Sequence, residues 1–363
     1  MPGVYISYPF CAQKCTYCNF ASGVFPAELE PKYQAKLREE IQKTAWPWVP
    51  QTIYLGGGTP SLWPVDDLAL TLATIPGHSV AGQLWQEATI ECAPGTLSPA
   101  KLAAWRAAGL NRISLGVQSF VETELRRTGR KHTAETVAQD VALLRAAGFA
   151  NFNLDLIVGL AGQTRGSWEH SLASTLALRP PHISIYLLDV DEDSRLGAEV
   201  LLNGQRYGAR DIPSDADQAD FFEWAIGQLA AAGYVHYEIS NFALPGAESR
   251  HNLKYWELEE YLGFGADAHS QAHGQRWQNA ESPADYVQEG EARREAEPAN
   301  HARERFWVGL RLLGGIAYAG EFPEVVQPLL DDGLLELEHA RLRLSRRGLL
   351  LANEVFARFL PDV

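Results

Sequence analysis

The chain has 363 residues, enough to bury a large core and to form two or three domains rather than one. Hydrophobic residues make up 46% and charged residues 21%, proportions that exclude a disordered chain. Lys and Arg total 31 against 45 Asp and Glu, so the net charge of −14 speaks against a protein that tracks a nucleic-acid backbone, while leaving room for a local basic groove.

The opening stretch through Ser7 has neither a basic segment nor a long apolar core, so no signal peptide is expected. No apolar run reaches the roughly 20 residues that span a bilayer. These features place the expected chain in the cytoplasm. The first half then alternates short apolar runs with helical patterns. Strands are expected at Val4–Tyr8, Thr52–Leu55, Thr89–Cys92, Arg112–Val117, Phe152–Val158 and His182–Leu188. Between the fourth and fifth, Val137, Val141 and Leu144 fall at i, i+4 and i+7 within Thr133–Ala147, with Thr133 to start the helix and Gly148 to end it. Six strand–helix repeats imply an α/β fold with a parallel sheet, a partial (β/α)6 or complete barrel whose active site lies at the C-terminal strand ends.

After Leu188 the pattern breaks. Residues Asp189–Asp217 are polar, carry Gly197, Gly204 and Gly208, and read as loop or linker. A helix, Ala219–Ala232, and a strand, Val235–Ile239, follow. Farther on, Arg303–Leu313 and Phe322–Asp331 look helical, Leu334–Glu338 and Leu342–Leu344 look like a hairpin, and Arg347–Leu360 looks like a last helix. That order is winged-helix-like. The expected divisions are 1–205 for the partial barrel, 206–297 for a smaller α+β region and 298–363 for the C-terminal domain.

Three of the four cysteines stand together in Cys11-Ala-Gln-Lys-Cys15-Thr-Tyr-Cys18, just after the first strand; Cys92 stands alone. Thiolates are the protein ligands of [4Fe–4S] clusters. Three cysteines on one loop bind three irons and leave the fourth for a small molecule. A zinc site and a Cys15–Cys18 redox pair are the other readings. Zinc prefers four protein ligands, and no fourth Cys or His is close in sequence. The run Gly56-Gly57-Gly58-Thr59-Pro60 follows the second strand, where glycines let backbone approach a ligand closely. An acidic residue inside an apolar strand is costly unless paired, which favours a site role for Asp155.

The CxxxCxxC spacing resembles the signature of the radical S-adenosylmethionine (SAM) superfamily. Over nearly its whole length the chain is similar to the family that unites oxygen-independent coproporphyrinogen oxidase (HemN) with a haem chaperone (HemW). The resemblance implies a cluster on Cys11, Cys15 and Cys18 with SAM at the open iron. It implies SAM contacts from Tyr5, from Gly57, Gly58 and Thr59, and from Glu91, Gln118, Arg130 and Asp155. Read alone, Arg130 is also open to reading as a solvated surface charge and Asp155 as a turn cap. Three positions depart from the family pattern: Ser7 where His is common, Ala93 where Asn usually precedes Pro94, and Ala161 in place of Pro.

Within that family two features favour the chaperone branch. The oxidase typically carries a further cysteine at the position of Phe20, and a long segment ahead of its first cluster cysteine, where this sequence has ten residues. The string His251-Asn-Leu-Lys-Tyr255-Trp256 resembles the haem-binding motif of the chaperones. It implies haem as a ligand, with His251 as axial ligand and His269 or His273 as alternatives. A satisfied core histidine beside packing aromatics is the plainer reading of His251. The implied partners are haem and a client haemoprotein, with peripheral membrane association through a client. The rival functions are coproporphyrinogen decarboxylation and radical SAM methyl transfer.

Overall fold

The computed structural model describes residues 2–77, 85–289 and 296–360. Six short runs rich in Val, Ile, Leu and Tyr form the central strands: β1 (Gly3–Tyr8), β2 (Thr52–Gly57), β3 (Glu87–Cys92), β4 (Arg112–Gln118), β5 (Asn151–Val158) and β6 (His182–Leu187). They pair in parallel in chain order, β1 to β6, as expected for strand–helix repeats. One side of each strand is apolar and dry: Val4, Ile6, Ile53, Leu55, Ile90, Ile113, Leu115, Leu154 and Ile183 are all fully buried under the flanking helices. The opposite side carries Tyr5, Tyr54, Glu91, Ser114, Asp155 and Ser184, so period-two alternation gathers a polar set on that face.

The helices between strands start where local chemistry supplies an acceptor. Thr133 caps the helix Ala134–Ala146 in a capping box with Thr136, and Thr164 caps Arg165–Ala177 with Ser167. Each satisfies backbone N–H groups that the first helical turn leaves open.

The sheet does not stop at six strands. After the helix Asp215–Ala231, β7 (Val235–Glu238) and β8 (Asn241–Ala243) extend the β6 edge, with β8 antiparallel to β6. On the other edge, β9 (Tyr261–Phe264) pairs in parallel with β1, followed outward by β10 (His269–Ala272), β11 (Gln275–Gln278) and β12 (Glu297–Pro298). The result is a 12-stranded sheet with β12 at one end and β7 at the other. The short helix Arg250–Trp256 joins the two edges and packs on β2.

Three expected elements differ. Within the segment expected as loop, Arg195–Leu201 is helical, capped by Ser194. Its Val200 and Leu201 are exposed, so no amphipathic period marks it. The helix expected over Arg303–Leu313 ends at Trp307 and passes into a 3₁₀ turn at Gly309–Arg311. The last helix is two, Arg346–Leu350 and Ala352–Ala357, interrupted at Leu351. The tail builds its own core from Phe306, Leu310, Val326, Leu342, Val355 and Phe359, around an antiparallel hairpin, Leu335–Glu338 with Arg341–Leu344. It is tied to the sheet through the Ile239 N–H, which donates to the Arg311 carbonyl at 3.1 Å.

Candidate functional site

The polar face of the six parallel strands converges on two carboxylates. Tyr5 of β1 lies opposite Tyr54 of β2, and their rings stack with centroids 6.2 Å apart. The Tyr54 hydroxyl crosses to β3 and donates to Glu91 Oε1 at 2.8 Å. On β5, Asp155 accepts from Ser114 at 3.2 Å and from Asn153 at 2.6 Å. Burial pushes the Glu91 carboxyl up to about 7, and the neighbouring Asp155 charge adds to the shift, against the hydrogen bonds from Tyr54 and the Gly57 N–H. Burial raises Asp155 as well, opposed by Asn153, Ser184 and Ser114. Two acids in one poorly solvated pocket are poised to accept hydrogen bonds from a polar ligand.

The cysteine loop begins where β1 ends. Its start is fixed by backbone bonds: the Cys11 N–H donates to the Gly23 carbonyl at 2.8 Å, and the Thr59 N–H donates to the Phe10 carbonyl at 3.0 Å. The Thr16 N–H donates to the Thr128 carbonyl at 3.1 Å, and the Leu196 N–H donates to the Thr16 carbonyl at 2.8 Å. Asn19 donates to Asp191 at 3.0 Å, and Arg195 reaches the Lys14 carbonyl. The loop is therefore gripped by the ends of three neighbouring units. Cys11, Cys15 and Cys18 are all free and half-buried. Burial raises the Cys11 thiol, hydrogen bonds with Thr59 and Ser22 oppose that, and the Cys18 and Cys15 thiols add to it.

The glycine segment is shaped by close approach. Gly57 has φ of +106°, a conformation that L side chains rarely adopt. A Cβ on Gly58 would lie 2.7 Å from the Pro9 carbonyl carbon, so only glycine lets the end of β2 run against the root of the cysteine loop.

Gln118 and Arg130 complete the rim. At the end of β4 the pairing with β5 slips between Gly116 and Gln118, and Gln118 takes a left-handed φ of +69°. Its Oε1 is buried with no hydrogen-bond partner. Strain and an unpaired polar atom at one residue make Gln118 a candidate ligand contact. Arg130 donates from Nη1 to the Gly116 carbonyl at 2.6 Å, and its guanidinium also meets Tyr17 and Cys15, while Nε has no partner. Burial pushes the Tyr17 phenol up to about 12, and the guanidinium holds it from rising further. An unpaired acceptor and an unpaired donor at the same rim suit a ligand that carries both an ammonium and a carboxylate, as SAM does. Three free thiols on one loop suit a cluster that spreads its ligands over separate irons. Among the described residues, no three His, Cys, Asp or Glu side chains are gathered around a single metal-ion position.

The structure does not bring His251 to this rim as an open imidazole. The ring is fully buried; Nδ1 is 2.8 Å from Thr52 Oγ1 and Nε2 is 2.8 Å from the Tyr255 hydroxyl. Both nitrogens are engaged, which leaves neither for a haem iron in this conformation. In this arrangement the imidazole reads as a satisfied histidine in the base of the sheet. His269 and His273 lie at the surface. Cys92 is buried, and its thiol faces the Ile90 carbonyl at 3.7 Å.

Sequence reasoning missed Tyr54, Tyr17 and the shell of Ser114, Asn153 and Ser184. A signal existed for part of it: Tyr54 shares its strand face with Thr52 and Gly56 by period-two alternation, and Asn153 precedes Asp155 by two. Tyr17 had no such signal, because its partner Arg130 is remote in sequence.

The Radical SAM superfamily profile matches residues 5–174. The chain is 33% identical to the haem chaperone HemW of Lactococcus lactis, over 99% of this chain and 97% of that protein. It is 34% identical to HemW of Bacillus subtilis, over the full length of both. Among solved structures, coproporphyrinogen III oxidase (HemN) from Escherichia coli superposes with a TM-score of 0.81, at 22% identity, over 99% of this chain and 89% of that one. That likeness is one of fold.

Proposed function

Because the chain belongs to the radical SAM superfamily and, within it, to the haem chaperone HemW family, we propose that it binds haem and passes it to a client haemoprotein. The observation that carries the proposal is likeness along the entire chain to proteins named as haem chaperones, rather than to a shared domain alone. Phe20 supports it: the position is an exposed phenylalanine, not a further thiol beside the cluster loop.

In this proposal Cys11, Cys15 and Cys18 hold a [4Fe–4S] cluster. When bound, such a cluster supplies one-electron chemistry and a coordination position for SAM. The protein's own part is to bind and orient. Gln118 Oε1 accepts from the ligand's ammonium and the Arg130 guanidinium donates to its carboxylate. Gly57, Gly58 and Thr59 bring backbone close to the same end. Glu91 and Asp155 accept from the ligand's hydroxyl and amino groups, and Tyr5 offers a flat wall. The setting we propose is the cytoplasm, where thiols stay reduced. Among the described residues, no helix is long and apolar enough to cross a membrane.

The test is anaerobic reconstitution followed by two assays on one preparation. Haem titration should show about one haem per chain by its Soret band. The same protein with SAM and reductant should form no protoporphyrinogen IX from coproporphyrinogen III. Robust decarboxylation would replace the chaperone reading with the oxidase one. Variants of His269 and His273, the surface histidines, should locate the axial ligand by their spectra.

A further inference from the structure

We infer that His251 is a positioning residue for the Glu91 carboxylate, acting through the Tyr54 ring. The inference rests on the reading above that Glu91 belongs to a SAM pocket. The imidazole stacks on Tyr54 with centroids 5.2 Å apart and planes 27° off parallel. Tyr54 stacks on Tyr5 too, at 19°, and its hydroxyl donates to Glu91. A phenol that reaches from one strand to the next can swing about its ring axis and about Cβ. Two roughly parallel neighbours remove that freedom, and the hydroxyl then meets the carboxylate at one place.

The imidazole can serve as a wall because it is itself immobile. Thr52 and Tyr255 hold its two nitrogens, each at 2.8 Å, so both the plane and the position of the ring are set. A phenylalanine there would stack but leave two buried hydroxyls without their partner. The helix that carries it is anchored as firmly. Glu87, at the start of β3, accepts from the Ser249 hydroxyl at 3.3 Å, from the Arg250 N–H at 3.0 Å and from the His251 N–H at 3.0 Å. Strand β3 thus holds the helix at one end with Glu87 and presents Glu91 near the other. The helix's last residue, Trp256, lies under the Arg311 guanidinium, 4.3 Å from the ring, which joins it to the tail. The histidine of the HNxxYW string is in this way part of the SAM pocket's support.

A double-mutant cycle on SAM affinity tests this, using cluster-loaded protein and equilibrium dialysis. His251→Ala and Tyr54→Phe should each weaken SAM roughly tenfold, the worth of one hydrogen bond to a charged group. The double variant should be no weaker than the worse single one, since both remove the same link. Iron and sulfide content should stay at the wild-type level. If His251→Ala fails to fold, Tyr255→Phe removes only the hydroxyl at Nε2; its smaller loss of SAM affinity should likewise vanish in the Tyr54→Phe background. Additive effects, or unchanged SAM affinity in His251→Ala, would overturn the inference. So would a lost or shifted Soret band in His251→Ala with normal SAM binding, which would return the residue to haem. Wild-type protein that binds no SAM would instead sink the underlying reading of the pocket.

Discussion

Replacing Glu91 with Gln should change how stability depends on pH, in a direction set by the pocket. The wild-type carboxyl moves from 4.5 to about 7 on folding, through burial and the Asp155 charge. At about 1.4 kcal/mol for each tenfold change in proton affinity, that disfavours the charged form by roughly 3 kcal/mol. The folded value lies above the unfolded one, so the native chain keeps a proton that the unfolded chain has released. Glu91's contribution is therefore fully present below pH 4.5 and is lost as pH rises through about 7. Gln keeps the shape and an acceptor for the Tyr54 hydroxyl but never ionises. In urea unfolding of cluster-loaded, SAM-free protein, kept anaerobic, the two chains should be close in stability near pH 5. The variant should then gain up to about 3 kcal/mol over wild type by pH 8. It should also bind SAM more weakly at both values. Parallel stability curves across that range would refute the reasoning, because a solvated carboxylate gives no such divergence.

Alanine at Cys11, Cys15 or Cys18 should abolish the cluster, seen as loss of iron and sulfide, whereas Cys92→Ser should retain both because that thiol is buried against a backbone carbonyl. Gly58→Ala should lower cluster occupancy, since the new Cβ meets backbone at Pro9 rather than a movable side chain; normal iron content would show that the loop root can yield. Gln118→Gly should weaken SAM binding while leaving the protein as stable as wild type within about 1 kcal/mol, because it removes a left-handed side chain with an unpaired oxygen. A large loss of stability would mean that the side chain is structural.

The parts of the fold that could be read in advance are those where one periodicity dominates. The six parallel strands bury one face completely, and their apolar alternation reports it. Strands β8 to β12 escaped because they are two to four residues long and take their identity from pairing with a sheet edge, which no local pattern encodes. Helix Arg195–Leu201 escaped for a different reason: Leu196 is buried while Val200 and Leu201 are exposed, so no apolar stripe repeats along it. In the site, the cysteines announce themselves by spacing alone. The strain at Gln118 is invisible in sequence, because it arises from a slipped register between β4 and β5. His251 shows the limit most plainly, since the same imidazole is an open ligand or a core residue depending on Thr52, 199 positions away.

The grip on the cysteine loop is assembled from segments that are made far apart in time. Thr16 is held by Arg127 and Thr128, the first of these 111 positions downstream, Asn19 by Asp191, 172 positions downstream, and Lys14 by Arg195, 181 positions downstream. A nascent polypeptide that has emerged only as far as β5 has the thiols but lacks half the contacts that seat them. Contacts of such separation form late, because loop closure must precede them. The contacts that seat the loop are therefore complete only when the first 196 residues have been made and Leu196 can close on Thr16.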